Sequence, residues 1–396
     1  MNTREVVLVA PVRTPIGRFG GGLASLSAAD LGVAAAVECL RRAGVDPASV
    51  DEAIVGCGRQ AGSGPNVGRQ VSYRAGLGAP KPAYTVNQAC ASGLRAIVNA
   101  AMTIQSGAAD LVLAAGTESM SRLPYFLEGA RWGWRLGHQQ VTDAMYRDGF
   151  LDPLCGLVMG ETAENLADTY QITREEQDQF AAGSQNRAEA ARREGRFQSE
   201  IVPVDAPAAR GATTRVEADE HPRDGVTADS LASLPAVFRK TGGTVTAGNS
   251  SGITDGAAAV LVTSAERAAR DKLEPWGRLV SWTVSGVEPA IMGIGPVPAI
   301  RALEERTRVR LADIDLVELN EAFAAQVIAC DRELKFDPAR LNVNGGAIAL
   351  GHPIGATGVR IVVTLLHEMR RRAARRGLAT LCVSGGMGVA ALIEAC

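Results

Sequence analysis

Cys90, His352, Cys382 and Asn320 are the residues of this 396-residue chain whose types and settings could do chemistry. Cys90 lies in Thr85-Val-Asn-Gln-Ala-Cys90-Ala-Ser-Gly93-Leu. A short apolar strand breaks there at Asn87, and an amphipathic helix over Leu94 to about Ser106 follows. A cysteine at a helix N-terminus meets unpaired backbone N–H groups and the positive end of the helix dipole, which favour thiolate over thiol. Ala91, Ser92 and Gly93 leave room for a reactant at the sulfur. Taken alone, such a cysteine reads as a small buried apolar side chain. A thiol becomes a nucleophile when a base stands within hydrogen-bond reach, and His352 is such a base. It is presented by the Gly-rich loop Asn344-Gly-Gly-Ala-Ile-Ala-Leu-Gly-His352-Pro-Ile-Gly-Ala-Thr-Gly358, just before a helix. Cys382 ends a strand ahead of Val-Ser384-Gly-Gly-Met-Gly388. Asn320 opens Asn320-Glu-Ala-Phe323 between a strand and a helix, where its default role is an N-cap.

These residues need a scaffold that brings the two ends of the chain together, and the pattern supplies one. Val6–Ala10 reads as a buried strand and Pro11–Gly22 as a Gly/Pro-rich loop. Ser27 caps a helix to Ala43 that stops at Gly44. Val50–Gly56 and Asp110–Gly116 read as strands, with Gly107 ending the Cys90 helix. The last third repeats this order. Ile300–Arg308 and the following Asp315-Leu-Val-Glu-Leu mirror the first helix and strand. Val343-Asn344 mirrors Val86-Asn87, a helix from Gly358 to Arg376 capped by Gly377 mirrors the Cys90 helix, and Ala379-Thr-Leu-Cys-Val mirrors Asp110-Leu-Val-Leu-Ala. Two βαβαβ-type halves are expected, each with helices covering a sheet. Pairing them about a pseudo-two-fold puts Cys90 and His352 at loosely equivalent helix starts on opposite halves. Residues 118–248 differ in character: they are polar, helical in pieces and include a capping box at Thr173-Arg-Glu-Glu176. The expected organisation is an N-terminal half of 1–117 plus 249–270, an inserted domain of 118–248, and a C-terminal half of 271–396.

Composition narrows the class. A net charge of −2 and 21% charged residues exclude nucleic-acid binding through global charge. With 44 Gly and 4% aromatic residues, the interior must be built from Ala, Val, Leu and Ile, which suits close helix–sheet packing. Seven cysteines without a C-x-x-C pair, and four histidines, indicate neither a disulfide framework nor a zinc site. No apolar run reaches membrane-spanning length, and a reduced, cytoplasmic setting is expected. Gly56-Cys-Gly58-Arg-Gln looks superficially like a dinucleotide loop, but no Asp or Glu lies between Gly56 and Asp110 to hold a ribose.

The motifs together resemble the thiolase family over essentially the full length. They are Asn87-Gln-Ala-Cys90-Ala-Ser-Gly, Met159-Gly-Glu-Thr-Ala-Glu-Asn165, Val245-Thr-Ala-Gly-Asn-Ser-Ser-Gly, Asn320-Glu-Ala-Phe, Gly351-His-Pro-Ile-Gly and Cys382-Val-Ser-Gly-Gly-Met-Gly. The resemblance implies the five-layered α-β-α-β-α thiolase fold, with 118–248 as a loop domain holding coenzyme A. It implies reversible Claisen condensation and thiolysis with CoA thioesters as substrates and no permanently bound cofactor. Cys90 would carry the acyl group, His352 would activate it, and Cys382 would move the α-proton. Asn320, through a water, and His352 would hold the enolate oxygen, while the backbone N–H groups of Cys90 and Ser384 would form a second oxyanion hole. CoA would contact Met159, Arg223, Ser230, Leu234, Phe238, Ala247 and Ser251, with Met292 and Phe323 at the acyl end. Two positions depart from the family pattern. Val158 precedes Met159 where acetoacetyl-CoA thiolases often have His, and Ser384 replaces a usual glycine.

Three other readings compete. A decarboxylating ketoacyl synthase uses Cys-His-His, and Asn320 stands where its second His would be. A Cys/His/Asn hydrolase fits poorly with the chain order Cys90, Asn320, His352. A CoA- or lipid-binding scaffold would leave the cysteines unreactive. The expected partners are small-molecule acyl-CoA thioesters and copies of the chain itself, as a homodimer or homotetramer. The region of Trp132 and Trp134 is the expected contact between dimers. No nucleic acid or membrane partner is expected.

Overall fold

A computed structural model describes residues 4–208 and 211–396. Its first half contains β1 (Val6–Arg13), α1 (Ala28–Ala43), β2 (Glu52–Gly56), α2 (Val67–Arg74), β3 (Ala83–Val86), α3 (Ser92–Gln105) and β4 (Leu111–Ser119). Helices α4 (Met159–Thr169) and α5 (Arg174–Arg193) follow before β5 (Thr254–Ser264) closes that half. The second half is β6 (Pro275–Gly286), α6 (Pro296–Thr307), β7 (Leu316–Leu319), α7 (Ala324–Leu334), α8 (Ile354–Arg372), β8 (Arg376–Val383) and β9 (Met387–Glu394). The same pairing recurs in both. β2 lies parallel to β3 and β4, while β7 lies parallel to β8 and bridges in parallel to Leu341. The strands run in the order β7-β8-β9-β6-β1-β5-β4-β2-β3, joined where β1 and β6 pair antiparallel.

The period-two alternation of β1 builds two cores at once. Val7 and Val9 pack outward with Leu31, Ala35 and Val71 under α1 and α2. Val6 and Leu8 pack inward with Ile97, Ile104, Val362 and Leu366 of α3 and α8. On the far side, Ile300, Leu303 and Val327 of α6 and α7 cover Leu378 and Leu392. The sandwich is therefore outer helices, sheet, α3 with α8, sheet, outer helices: the five layers expected. Small residues let the middle layer close. A Cβ added to Gly358 of α8 would stand 2.1 Å from the Leu94 nitrogen of α3.

Local signals placed most ends correctly. Ser27 and Asp30 form a reciprocal capping box, and Gly44 ends α1 at φ 64. Thr173 and Glu176 do the same for α5. Several boundaries differ. β1 continues through Pro11 to Arg13, β4 runs on to Ser119, two residues into the expected insertion, and β5 begins at Thr254 rather than Ala259. The last long helix starts at Ile354 rather than Gly358, because Pro353 has no N–H to leave unpaired and suits a helix start. It ends at Arg372, where Ala373 turns left-handed at φ 51. Gly377, expected as its cap, lies in β8 opposite Leu316.

Candidate active site

The turn that presents Cys90 is held by side chains on both flanks. Asn87 accepts the Ala89 N–H at 2.9 Å and donates to the Gly58 carbonyl at 3.1 Å. Ser92 accepts the Gln88 N–H at 3.0 Å and donates to the Ala89 carbonyl at 2.6 Å. Between them Ala89 adopts φ 45, a left-handed conformation that costs an alanine of order 1 kcal/mol or more. Cys90 follows in a single 3-10 turn, Ala89–Ala91, ahead of α3. It is 9% exposed, and burial pushes its thiol above the ordinary value. The Arg59 guanidinium and the Ser384 and Cys90 backbone N–H groups pull the other way, and burial prevails. The helix start alone favours thiolate over thiol; here burial outweighs it and favours the thiol.

His352 complements that state. Its Nδ1 lies 2.7 Å from the Thr357 hydroxyl, which donates onward to the Pro353 carbonyl at 3.0 Å. With its proton committed there, Thr357 accepts from Nδ1–H, which leaves the lone pair on Nε2. Nε2 is buried and has no partner among the described residues. Burial, helped by Arg360 and Arg59, pushes the imidazole down to about 3, so it stays neutral, with its lone pair open at Nε2. Cys90, His352 and Ser384 line one cavity of about 570 Å³, whose walls are mostly apolar.

Cys382 ends β8 behind that cavity. It is fully buried among Met292, Ala322 and Phe323. Burial, and then the proximity of the Cys90 sulfur, raise its thiol well above the usual range. Asn320 is also fully buried, and neither its amide nitrogen nor its oxygen has a partner among the described residues. An orphaned buried amide costs about 1–3 kcal/mol and is free to hold a substrate oxygen or a water. Asn320 is not the N-cap of α7; that place belongs to Phe323. Ser384 fits without strain because the left-handed positions of its loop are Gly385 and Gly386, at φ 87 and 79. The Gly385 N–H is pinned by Asp152 at 2.8 Å.

Of the residues expected to meet CoA, the cavity wall includes Met159, Arg223, Phe238, Ala247, Ser251, Met292 and Phe323. Ser230 and Leu234 are not part of it. The Ser230 hydroxyl is spent on Thr227, donating to its carbonyl at 2.7 Å and accepting its N–H at 3.1 Å. Leu234 packs over Gly248, where an added Cβ would stand 2.5 Å from it. The wall also holds two cations that the sequence reading passed over. Arg18 is exposed at the mouth like Arg223, whereas Arg59 is buried beside Cys90. Glu118, also passed over, sits fully buried at the end of β4 and accepts the N–H groups of Gly58, Arg59 and Gly355 at 2.8–3.2 Å. It ties the Arg59 loop to the start of the His352 helix. Burial lifts its carboxyl to about 7. Its signal in the sequence is an acidic residue in the otherwise uncharged strand Leu111–Ser119.

Such a scaffold, with an uncharged thiol and a neutral imidazole on an apolar cavity, defines a class: acyltransferases of duplicated α/β architecture that work through cysteine. Residues 6–266 match the thiolase N-terminal domain and residues 273–395 the thiolase C-terminal domain, and the chain belongs to the thiolase family. It is 50% identical to an acetyl-CoA acetyltransferase of Cupriavidus necator, over 98% of this chain and 99% of that one. It is 51% identical to an acetyl-CoA acetyltransferase of Pseudomonas aeruginosa, over 98% of each. The fold superposes on the Bacillus anthracis acetyl-CoA acetyltransferase with a TM-score of 0.97 at 46% identity, covering 100% of this chain and 99% of that one. A human mitochondrial 3-ketoacyl-CoA thiolase in complex with CoA matches at 0.94 and 42% identity, over 99% and 98%.

Proposed function

We propose that this chain catalyses the reversible thiolysis of 3-ketoacyl-CoA and the Claisen condensation of acetyl-CoA, through an acyl group carried on Cys90. One observation carries the reading: Cys90, the unpartnered Nε2 of His352 and the Ser384 loop face the same cavity. In thiolysis the Cys90 sulfur adds to C3 of the substrate and its proton passes to His352 Nε2. Collapse breaks the C2–C3 bond, and the electron pair left on C2 takes a proton from Cys382 as acetyl-CoA departs. CoA then gives its thiol proton to Cys382, its sulfur adds to the acyl-Cys90 carbonyl, and the leaving Cys90 sulfur recovers its proton from His352. Protons and electron pairs balance over the cycle, which is ping-pong. The Cys90 and Ser384 N–H groups serve the tetrahedral oxyanion, while Asn320 and His352 serve the enolate. Arg223, joined by Arg18, suits the nucleotide phosphates at the cavity mouth, and Met159, Phe238, Met292 and Phe323 suit the pantetheine and acyl portion.

The segment 118–248 acts as the CoA-binding loop domain between the halves 1–117 with 249–270 and 271–396. The protein works in the cytoplasm in fatty acid metabolism as a dimer or tetramer, on small acyl-CoA substrates without a permanent cofactor. The test is CoA-dependent loss of enolate absorbance with acetoacetyl-, 3-ketohexanoyl- and 3-ketooctanoyl-CoA. Cys90→Ala should lower kcat on every cleaved substrate by at least about a thousandfold, the scale of losing a covalent nucleophile. Activity on the four-carbon substrate alone supports the biosynthetic type, and comparable activity on longer chains supports a broad 3-ketoacyl-CoA thiolase. Absence of Cys90-dependent cleavage of any of the three overturns the reading.

A further inference from the structure

Arg59 is a cation in an expensive place. It is 8% exposed and lines the cavity with Cys90. Its guanidinium touches only backbone carbonyls, Gly149 at 2.6 Å and Gly58 at 3.4 Å. Its Nε is buried with no partner among the described residues. The nearby carboxylate of Glu118 is turned to backbone N–H groups, Arg59's own among them, rather than to the guanidinium. The other buried arginines differ: Arg13 is forked between Glu200 and Asp219, and Arg360 reaches Glu318 at 3.2 Å. The carboxylates of Glu118 and Asp148 are near enough to feel this charge, but neither pairs with it among the described residues, and burying an unpaired charge costs several kcal/mol, so this cation is poorly explained by stability alone.

Its position sorts it from the cations that suit phosphates. Arg18 and Arg223 are solvent-exposed, while Arg59 is buried in the cavity wall, near enough for its charge to act on both Cys90 and His352. Beside His352 and Ser384, the wall near Cys90 carries apolar side chains, with Met120, Phe150 and Ile354 in the same cluster. An acyl chain tethered to the Cys90 sulfur would run along methylene-compatible surface and meet one buried positive charge.

We propose that Arg59 is the counter-charge for an acyl group ending in a carboxylate, so that the site takes short 3-ketodicarboxylyl-CoA thioesters. This deepens the thiolase reading and rests on it. The bonds made and broken are those of the thiolysis above. What Arg59 adds is a charge-assisted, planar hydrogen-bonding partner for the distal carboxylate, which Arg offers better than Lys.

The test compares kcat/KM for 3-ketoadipyl-CoA and 3-ketohexanoyl-CoA, which share chain length and differ in the terminal carboxylate. It uses wild type, Arg59→Leu and Arg59→Lys. The wild type is expected to favour the carboxylated substrate by about tenfold or more. In Arg59→Leu the ratio should fall about 10- to 100-fold, the size of a lost hydrogen bond to a charged group, with Arg59→Lys in between. Using the ratio removes any common effect of the cation on Cys90. Preference of the wild type for the neutral substrate overturns the proposal, and needs no variant that might misfold. So does an Arg59→Leu variant that loses activity on both substrates equally. Cys90-dependent cleavage of the neutral substrate by wild type keeps the thiolase reading intact in either case.

Discussion

Neutral partners are the resting state of the proposed catalytic pair, Cys90 and His352. Burial raises the Cys90 thiol and lowers His352 to about 3, so both forms that would carry charge are disfavoured together. The proton therefore moves during attack rather than before it, and the fixed Nε2 acceptor makes that transfer possible. A conventional histidine would charge near its ordinary value of 6.5 and lose its basicity below it. Here the imidazole stays neutral throughout the range in which most enzymes are assayed. The kcat/KM profile between about pH 5 and 9 should show no acid limb near the ordinary histidine value. An acid limb there that disappears in a His352 variant would contradict the assigned burial and tautomer. Thr357 is the residue that holds this arrangement, and only the fold identifies it. A hydroxyl one turn after a helix-starting proline was the available signal.

Two helices carry the reacting residues toward each other, and glycine decides how close they come. α3 follows Cys90 and α8 follows His352, and they cross at Gly93 and Gly358. A Cβ on Gly93 would meet the Gly355 oxygen and Val359 nitrogen at 2.8 Å, and one on Gly358 would meet Leu94 at 2.1 Å. These contacts are with backbone, which cannot rotate aside. Gly358→Ala should destabilise the fold by at least about 1–3 kcal/mol, the range for overpacking a core, and helix propensity would not rescue it. A melting temperature equal to or above wild type would show that the crossing is looser than the geometry states. The motif Gly351-His-Pro-Ile-Gly-Ala-Thr-Gly358 was read as a loop presenting histidine. Physically, half of it is the first turn of α8, and its small residues are there for the crossing.

Across the whole molecule, the most exposed large apolar groups gather in the segment between β4 and α4. Trp132 is 87% exposed and Leu136 93%, with Tyr125, Leu127 and Val141 also open to solvent. Large exposed apolar patches mark interaction surfaces. It is the region around Trp132 and Trp134 where the sequence places the contact between copies of the chain. Trp132→Glu with Leu136→Glu should lower the mass measured by light scattering below that of wild type, with kcat retained because neither residue lines the cavity. An unchanged mass with both charges in place would remove this segment from the interface.

The sequence by itself determined the duplicated α/β plan and most helix ends, and it singled out the four candidate residues Cys90, His352, Cys382 and Asn320. These follow from local periodicity, capping and small-residue motifs whose physics acts within a few positions. Ser27 with Gly44, and Thr173 with Glu176, are of this kind. The tertiary structure decided everything set by burial and long-range approach. It made Cys90 a thiol, because the desolvation that outweighs its helix start comes from the distant elements closing over it. It removed Ser230 and Leu234 from the cavity by giving them partners of their own. It also turned the apparent dinucleotide loop into the carrier of Arg59, held under the site by Glu118, 59 positions away along the chain. No local pattern encodes such a contact, since it exists only once β2 and β4 lie side by side.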